Sequence, residues 1–130
     1  MDNIKNDKYY VSKIVEDIDV IHNYMKGVSS EAFEDDVMLI DAVMFRLVQL
    51  GENIKKLSQD YKNAHPNIHW NEIIGFRNTI VHDYGRTDYS IVYEIISSDL
   101  PELKDELSKY NYLITRFFLH SIYKNRIFFF

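Results

Sequence analysis

Four side chains that can act on phosphate groups lie in one short stretch, residues 75–85, which reads GFRNTIVHDYG. Arg77 can hold a phosphate and neutralise growing negative charge, and His82 can move protons near neutral pH. Asn78 can orient either group through a hydrogen bond, and Tyr84 offers a hydroxyl that can be modified. An arginine and a histidine together are sufficient to cleave RNA through the ribose 2′-hydroxyl without a metal.

The spacing of these residues does not restrict the site to one chain. On a helix, Asn78 and His82 are four residues apart and share a face. Arg77 is five residues from His82, about 140° around the helix axis. The long Arg77 side chain can still reach the same cleft, or the Arg77 of one subunit can meet the His82 of another. Residue types alone also allow a purely structural role: a capping histidine, a solvated arginine and a packed tyrosine.

Other polar residues give weaker signals. His65 and His69 are four apart, but Pro66 argues against a shared helical face, and no adjacent carboxylate completes a metal set. The chain has no cysteine, which excludes disulfides and cysteine-based zinc sites. It also has no phosphate-binding glycine loop and no serine-nucleophile elbow. We therefore expect neither a metal site nor a cofactor.

Length and composition indicate one globular bundle inside a reducing cytoplasm. The chain has 130 residues, of which 46 % are hydrophobic. No apolar run approaches the roughly 18 residues that span a bilayer, and the first residues lack a signal-peptide core. We therefore expect no membrane partner for the bundle. The net charge of −5 argues against a broad RNA-binding face, so RNA would have to meet a local basic groove.

Helical periodicity runs through almost the whole chain and predicts an all-α, up-and-down bundle of four to five helices. Apolar residues recur every three or four positions between Val11 and Met25, and again between Ile40 and Leu57. In the second helix, additional apolar residues such as Phe45 widen the stripe beyond what one neighbour needs. This helix is therefore either central to the bundle or paired with another subunit, which favours a dimer.

The remaining helices follow from their end signals. A third, shorter helix should run from about Trp70 to about Asp83, before Gly85. Thr87 or Asp88 can cap a fourth helix. The run at residues 99–102, DLPE, has an N-cap aspartate, a proline in the first turn and a glutamate three positions on. This run predicts the start of a fifth helix.

The end of the chain has a different composition. Residues 109–130 carry four basic and no acidic residues, and residues 110–130 hold eight of the 19 aromatic residues. We therefore divide the chain into a helical bundle, residues 1–112, and a C-terminal extension, residues 113–130. The extension can pack on the bundle or on a second copy, stack on RNA bases, or lie on a membrane surface. Its role stays open.

Residues 77–84, RNTIVHDY, resemble the R-x4-H-x-Y motif of HepT-type toxins, a branch of the HEPN superfamily. The surrounding sequence agrees with this resemblance. Residues 50–58, LGENIKKLS, are similar to the end of that family's second helix, and Glu52 recurs there without an assigned role. Residues 69–76, HWNEIIGF, are similar to the segment that leads into its motif helix. The resemblance covers residues from about 8 to about 110.

The resemblance implies a HEPN-like α-helical homodimer whose two motifs face a cleft between the subunits. It implies a metal-independent RNA endonuclease that is the toxin of a toxin–antitoxin pair, with Arg77 and His82 as catalytic residues and Asn78 in support. The implied partner is a minimal nucleotidyltransferase antitoxin of the MntA type, which transfers AMP from ATP to Tyr84. An adenylyl group beside His82 would add bulk and negative charge where the substrate phosphate must sit.

Two other functions remain open on the sequence. One is a non-catalytic subunit that presents a nucleotide or substrate to a partner nucleotidyltransferase, which would suit the acidic net charge. The other is an interaction bundle, assembled through the wide second helix and the aromatic extension. The motif and the sequence around it favour the nuclease.

Overall fold

The computed structural model describes residues 6–109, and these residues are helical almost throughout. A short 3-10 turn, Tyr84–Arg86, and a π-helical turn, Ile95–Asp99, accompany the α-helices. The described part of the chain contains no strand, which confirms the predicted all-α class there. Its six α-helices are α1 (Asp7–Tyr24), α2 (Ser30–Asp35), α3 (Val37–Lys55), α4 (Gln59–Ala64), α5 (Trp70–His82) and α6 (Tyr89–Glu94). The predicted boundary at residue 112 and the whole extension lie outside the described residues.

The core forms around α3, which packs against α1, α2 and α5. Both apolar stripes predicted from the sequence are confirmed, because every residue in them is buried. The stripe of α1 consists of Val11, Ile14, Ile18, Ile21 and Met25. The stripe of α3 and the turn after it consists of Ile40, Val43, Leu47, Leu50, Ile54 and Leu57.

α3 also carries apolar side chains away from the core. Met38 is 78 % exposed and Phe45 is 59 % exposed, and Val37 is exposed beside them in the chain. The central position of α3 therefore accounts for only part of its apolar surface. Within residues 6–109, no helix has the combination of length and apolarity needed to cross a membrane.

Two short helices, α2 and α4, were not predicted from the sequence. The acidic run at residues 31–36 fits the start of α3 on dipole grounds, but Asp36 interrupts it with an extended backbone conformation. The Asp36 side chain accepts a hydrogen bond from the backbone N–H of Leu39 and so caps α3. Ser29 caps α2 in the same way, and Ser58 caps α4. The two serine caps begin helices of six residues each, which are too short for apolar spacing to reveal them.

The prediction that a new helix starts at Asp99 is wrong, because the chain is already helical there. The helix does not end there but widens into the π turn and continues through residues 100–109. The backbone N–H of Leu100 donates to the carbonyl of Ile95, five residues earlier. Pro101 gives the physical reason, because it has no N–H and its ring would clash with the carbonyl four residues before it in a regular α-helix. The wider turn accommodates the proline without ending the helix.

Asp17 is the one charged residue buried in the described core, where it is 6 % exposed. Its carboxylate accepts hydrogen bonds from Arg46, at 3.2 Å, and from Asn53, at 3.5 Å. Desolvation raises the pKa of the Asp17 carboxyl above its ordinary value of 3.8, because the lost hydration outweighs these two bonds. The ionised side chain is therefore held in the fold at a cost in stability.

Replacing Asp17 by asparagine is expected to make the protein more stable, relative to wild type, as the pH rises. The raised pKa means that the wild-type carboxyl contributes stability below its unfolded pKa and loses that contribution as the pH rises through the folded pKa. The free energy of unfolding of Asp17→Asn, measured in urea relative to wild type, should therefore increase as the pH rises above 3.8, the ordinary pKa of this carboxyl. The increase should be about 1.4 kcal/mol for each unit by which folding raises the pKa. Glu34→Gln, at an exposed position on α2, is the control. A difference that stays constant or falls would contradict this account.

Candidate active site

The motif segment lies against α3, which runs in the opposite direction to α5. Arg77, in the middle of α5, meets Glu52 near the end of α3. Tyr84, just after α5, meets Asp41 near the start of α3. Two carboxylates of α3 therefore contact two of the four side chains that the sequence singled out.

The guanidinium of Arg77 is held firmly within the chain. Its side chain is only 17 % exposed, and one Nη forms an ion pair with the Glu52 carboxylate. The other Nη donates a hydrogen bond of 2.7 Å to the side-chain oxygen of Asn78. The Nε atom is buried and has no hydrogen-bond partner among the described residues. Arg77 is therefore oriented by two neighbours, and the Nε–H is among the guanidinium donors that these two contacts leave unused.

Gly51 permits the close approach of α5 to α3 at Arg77. A Cβ built on Gly51 would lie 2.6 Å from both the Cβ and the Cγ of Arg77. The backbone of α5 fixes the position of the Arg77 Cβ, so no side-chain rotation can relieve that contact. The absence of a side chain at position 51 therefore sets the spacing of the two helices at the site.

Replacing Gly51 by alanine should force α3 and α5 apart at this point. We expect a loss of about 1–3 kcal/mol in the free energy of unfolding, together with displacement of Arg77. Gly75→Ala in α5 is a matched control, because a Cβ there meets no atom within 4 Å. Alanine is the better helix former, so the control should be neutral or more stable by up to about 1 kcal/mol. Urea unfolding of the two variants tests this, and equal stabilities would contradict the close-approach argument.

His82 stands apart from these contacts. It is the last residue of α5, its side chain is exposed, and its ring makes no hydrogen bond to another described residue. Asn78 lies one turn earlier on the same face of the helix. The structure thus brings Arg77, Asn78 and Glu52 together and leaves the His82 side chain exposed among the described residues.

Tyr84 lies in the 3-10 turn that follows α5 and is 38 % exposed. Its hydroxyl donates a hydrogen bond to the Asp41 carboxylate. Partial burial raises the pKa of the Tyr84 phenol well above its usual range, and the hydrogen bond to Asp41 and the charge of that carboxylate raise it further. The hydroxyl therefore stays protonated at physiological pH and points toward α3.

Three residues of this arrangement were given no role by the sequence: Asp41, Gly51 and Glu52. Asp41 is 43 residues from Tyr84, and Glu52 is 25 residues from Arg77, so no local spacing links them. A glycine inside an apolar helical stripe was the one available signal for Gly51.

The other histidines of the described chain form no site. His65 packs against the ring of Tyr61, with centroids 4.3 Å apart. His69 precedes α5 and makes no capping hydrogen bond with its side chain. Within residues 6–109, no cluster of three or more histidine or carboxylate side chains is arranged to hold a metal ion.

The sequence profile of the family described as "Ribonuclease HepT-like" matches residues 14–110, which is most of the chain. The matched range contains α3, α5 and every residue of the candidate site. The chain therefore belongs to the HepT-like ribonuclease family, a HEPN-type family. This confirms at family level the resemblance drawn from the motif.

Individual relatives agree with this assignment. One relative, from Caldanaerobacter subterraneus subsp. tengcongensis, is provisionally named an RNase and is 29 % identical over 106 residues. The alignment covers 82 % of this chain and 95 % of the relative. A Methanocaldococcus jannaschii protein, also provisionally named an RNase, is 32 % identical and is covered over 84 % of its length, against 78 % of this chain. The protein named "Probable ribonuclease HepT" of Thermococcus cleftensis is 30 % identical, covering 81 % of this chain and 96 % of its own. No solved structure gives a significant match.

Proposed function

We propose that this chain is a metal-independent RNA endonuclease that acts as the toxin of a toxin–antitoxin pair. Family membership provides the ribonuclease class. The observation that carries the site is the contrast between Arg77, which is fixed against α3 by Glu52 and Asn78, and His82, which is exposed and unbonded within the described chain. An oriented cation and an accessible proton carrier are the two groups that phosphodiester cleavage needs.

The proposed reaction uses the RNA's own 2′-hydroxyl as the nucleophile. His82 takes the proton of this hydroxyl, and the 2′-oxygen attacks the neighbouring phosphorus. The bond from phosphorus to the 5′-oxygen breaks, and an acid, the His82 of the second subunit, protonates the leaving oxygen. Arg77 holds the phosphate and stabilises its added charge, while Asn78 keeps the guanidinium oriented.

A homodimer is proposed because the side chains next to the motif suit a second copy. Phe45 lies on α3 between the two residues that contact the motif, Asp41 and Glu52, and it is exposed. Val81, directly before His82 in α5, is also exposed. A second copy of the chain that covered these apolar side chains would bring its own motif to the same cleft.

Regulation is proposed to act through Tyr84. The partner would be a minimal nucleotidyltransferase antitoxin of the MntA type, encoded by the neighbouring gene, that transfers AMP from ATP to the Tyr84 hydroxyl. The side chain of Tyr84 is partly exposed two residues after His82, which supports this assignment. The bound AMP would place bulk and a negative phosphate where RNA must bind, and so silence the toxin in the cytoplasm.

The direct test is an RNA-cleavage assay with the purified protein and total RNA in the presence of EDTA, with the intact mass recorded. Cleavage that leaves 2′,3′-cyclic phosphate ends is the expected result for unmodified protein. Protein that carries the added mass of AMP should be inactive. Unmodified protein that cleaves no RNA but binds nucleotide saturably would contradict the nuclease and favour the non-catalytic subunit.

A further inference from the structure

We propose that Asp41 is the positioning residue for the modification of Tyr84: its carboxylate holds the phenol hydroxyl for attack and receives its proton. The inference rests on the proposed adenylylation of Tyr84. The observation behind it is the hydrogen bond from the Tyr84 hydroxyl to the Asp41 carboxylate, which joins the turn after α5 to the first half of α3.

Asp41 is available for this role because Tyr84 is its one side-chain partner in the described part of the chain. Within the described residues, it makes no second hydrogen bond and no ion pair, and its side chain is exposed. It also stands on a rigid element, because the helix that carries it packs in the centre of the core. A carboxylate fixed in this way can orient the Tyr84 ring without being drawn toward a competing cation.

No other group around Tyr84 offers the same contact. The titratable and charged groups near it are Asp41 on α3, Tyr89 at the start of α6, and His82, Asp83 and Arg86 in its own segment. Asp83 lies 3.9 Å from Arg86, so its charge is directed to that side chain. Asp41 is the one carboxylate in the described chain that accepts the hydrogen bond of the phenol.

In the proposed transfer of AMP to Tyr84, Asp41 is the proton acceptor. The Tyr84 oxygen attacks the α-phosphorus of a nucleoside triphosphate bound by the partner enzyme, and a new oxygen–phosphorus bond forms. The bond between that phosphorus and the bridging oxygen to the β-phosphate breaks, and pyrophosphate leaves with the electron pair. The phenol proton passes to Asp41 and then to water. No group is oxidised or reduced, and a protonated phenol becomes a usable nucleophile near neutral pH because a base is already in contact with it.

The experiment measures the initial rate of AMP addition to Asp41→Asn by intact mass, with ATP and the proposed partner produced from the neighbouring gene. We expect a rate about 100-fold below wild type near neutral pH, with little change in the concentration of ATP that gives half the maximal rate. The rate of the variant should rise with pH toward the phenol's own ionisation, whereas the wild-type rate should vary little. A residue that only supported the fold would not change the pH profile in this way.

Two further variants make the result decisive. Asp83→Asn removes a carboxylate next to Tyr84 that does not contact its hydroxyl, so it should accept AMP at the wild-type rate. Asp41→Glu keeps a carboxylate and should recover most of the rate with the wild-type pH profile, even if the asparagine variant folds poorly. Circular dichroism and RNA cleavage by the unmodified proteins report on folding.

The experiment distinguishes failure of the proposed Tyr84 modification from failure of the proposed role of Asp41. If wild type gains no AMP, or if Tyr84→Phe gains as much as wild type, the proposed modification is wrong and the role of Asp41 is overturned with it. If wild type is modified on Tyr84 and Asp41→Asn is modified at the same rate with the same pH profile, the role of Asp41 alone is overturned.

Discussion

Replacing His82 by alanine is expected to lower the rate of RNA cleavage by about 100-fold to 10,000-fold, the range typical of a lost general acid or base. The fold should change little, because the His82 side chain is exposed and bonds to no other described residue. Single-turnover cleavage in EDTA measures the rate, and urea unfolding checks that the free energy of unfolding stays within about 1 kcal/mol of wild type. Wild-type cleavage by the variant would remove His82 from the mechanism.

His69→Ala is the matched control for this measurement. His69 is also exposed and also flanks α5, but at the opposite end of the helix and without a capping hydrogen bond from its side chain. This variant should cleave RNA at the wild-type rate. If both histidine variants lost activity equally, the loss would reflect a general effect on α5 rather than proton transfer by His82.

Replacing Arg77 by alanine is expected to lower cleavage by about 100-fold to 1,000-fold, comparable with removing one donor that stabilises transition-state charge. Unlike the histidine variant, Arg77→Ala should also be less stable, because it leaves the half-buried Glu52 carboxylate without its partner. Arg77→Lys should remain strongly impaired, since an ammonium group cannot contact a phosphate, Glu52 and Asn78 with a planar fork.

Arg86→Ala controls for the loss of a positive charge near the motif. The Arg86 side chain is exposed, and its one ion pair within residues 6–109 is with Asp83, at 3.9 Å. Its removal should therefore affect neither stability nor cleavage by more than a small amount. Equal losses in Arg77→Ala and Arg86→Ala would indicate general attraction of RNA to a positive surface. A large loss in the first variant alone would indicate a specific contact with the reacting phosphate.

Mixing the two inactive variants, Arg77→Ala and His82→Ala, tests how the site is divided between subunits. Within one chain, Arg77 is turned toward α3 whereas His82 is exposed at the end of α5, and this arrangement favours a site that takes them from different chains. Mixed dimers would then contain one intact Arg77–His82 pair but not the second His82 that the proposed mechanism uses as the acid, so the activity regained after the variants are unfolded and refolded together should be well below that of wild type. If each chain supplies both residues of its own site, the mixed dimer contains no intact pair and no activity should return.

The parts of the fold that the sequence predicted well are those where local apolar spacing reports burial directly. The stripes of α1 and α3 are buried as expected, and the motif helix begins at Trp70 and ends within one residue of the predicted Asp83. Such helices are long enough for the 3.6-residue period to be visible. α2 and α4 are six residues each, too short for that signal, and only their caps mark them.

The residue types of the candidate site follow from the sequence, whereas the contacts between them do not. Arg77, Asn78, His82 and Tyr84 follow from one motif, because they lie within eight residues of each other. The pairings of Arg77 with Glu52 and of Tyr84 with Asp41 depend on how α5 crosses α3, which no single-chain spacing determines. The close approach of α3 and α5 at Gly51 likewise depends on tertiary packing and not on local sequence.

The π turn at Ile95–Asp99 sets the direction, around the helix axis, in which the side chains of residues 100–109 point. One extra residue in a helical turn is equivalent to a rotation of about 100° around the axis. The buried positions on this helix are spaced four, four, three and four residues apart. They are Val92 before the turn, Ile96 within it, and Leu100, Leu103 and Leu107 after it. Deleting a single residue in this turn would rotate Leu103 and Leu107 away from the core. The proline at position 101 therefore indirectly sets which face of residues 100–109 packs against the core.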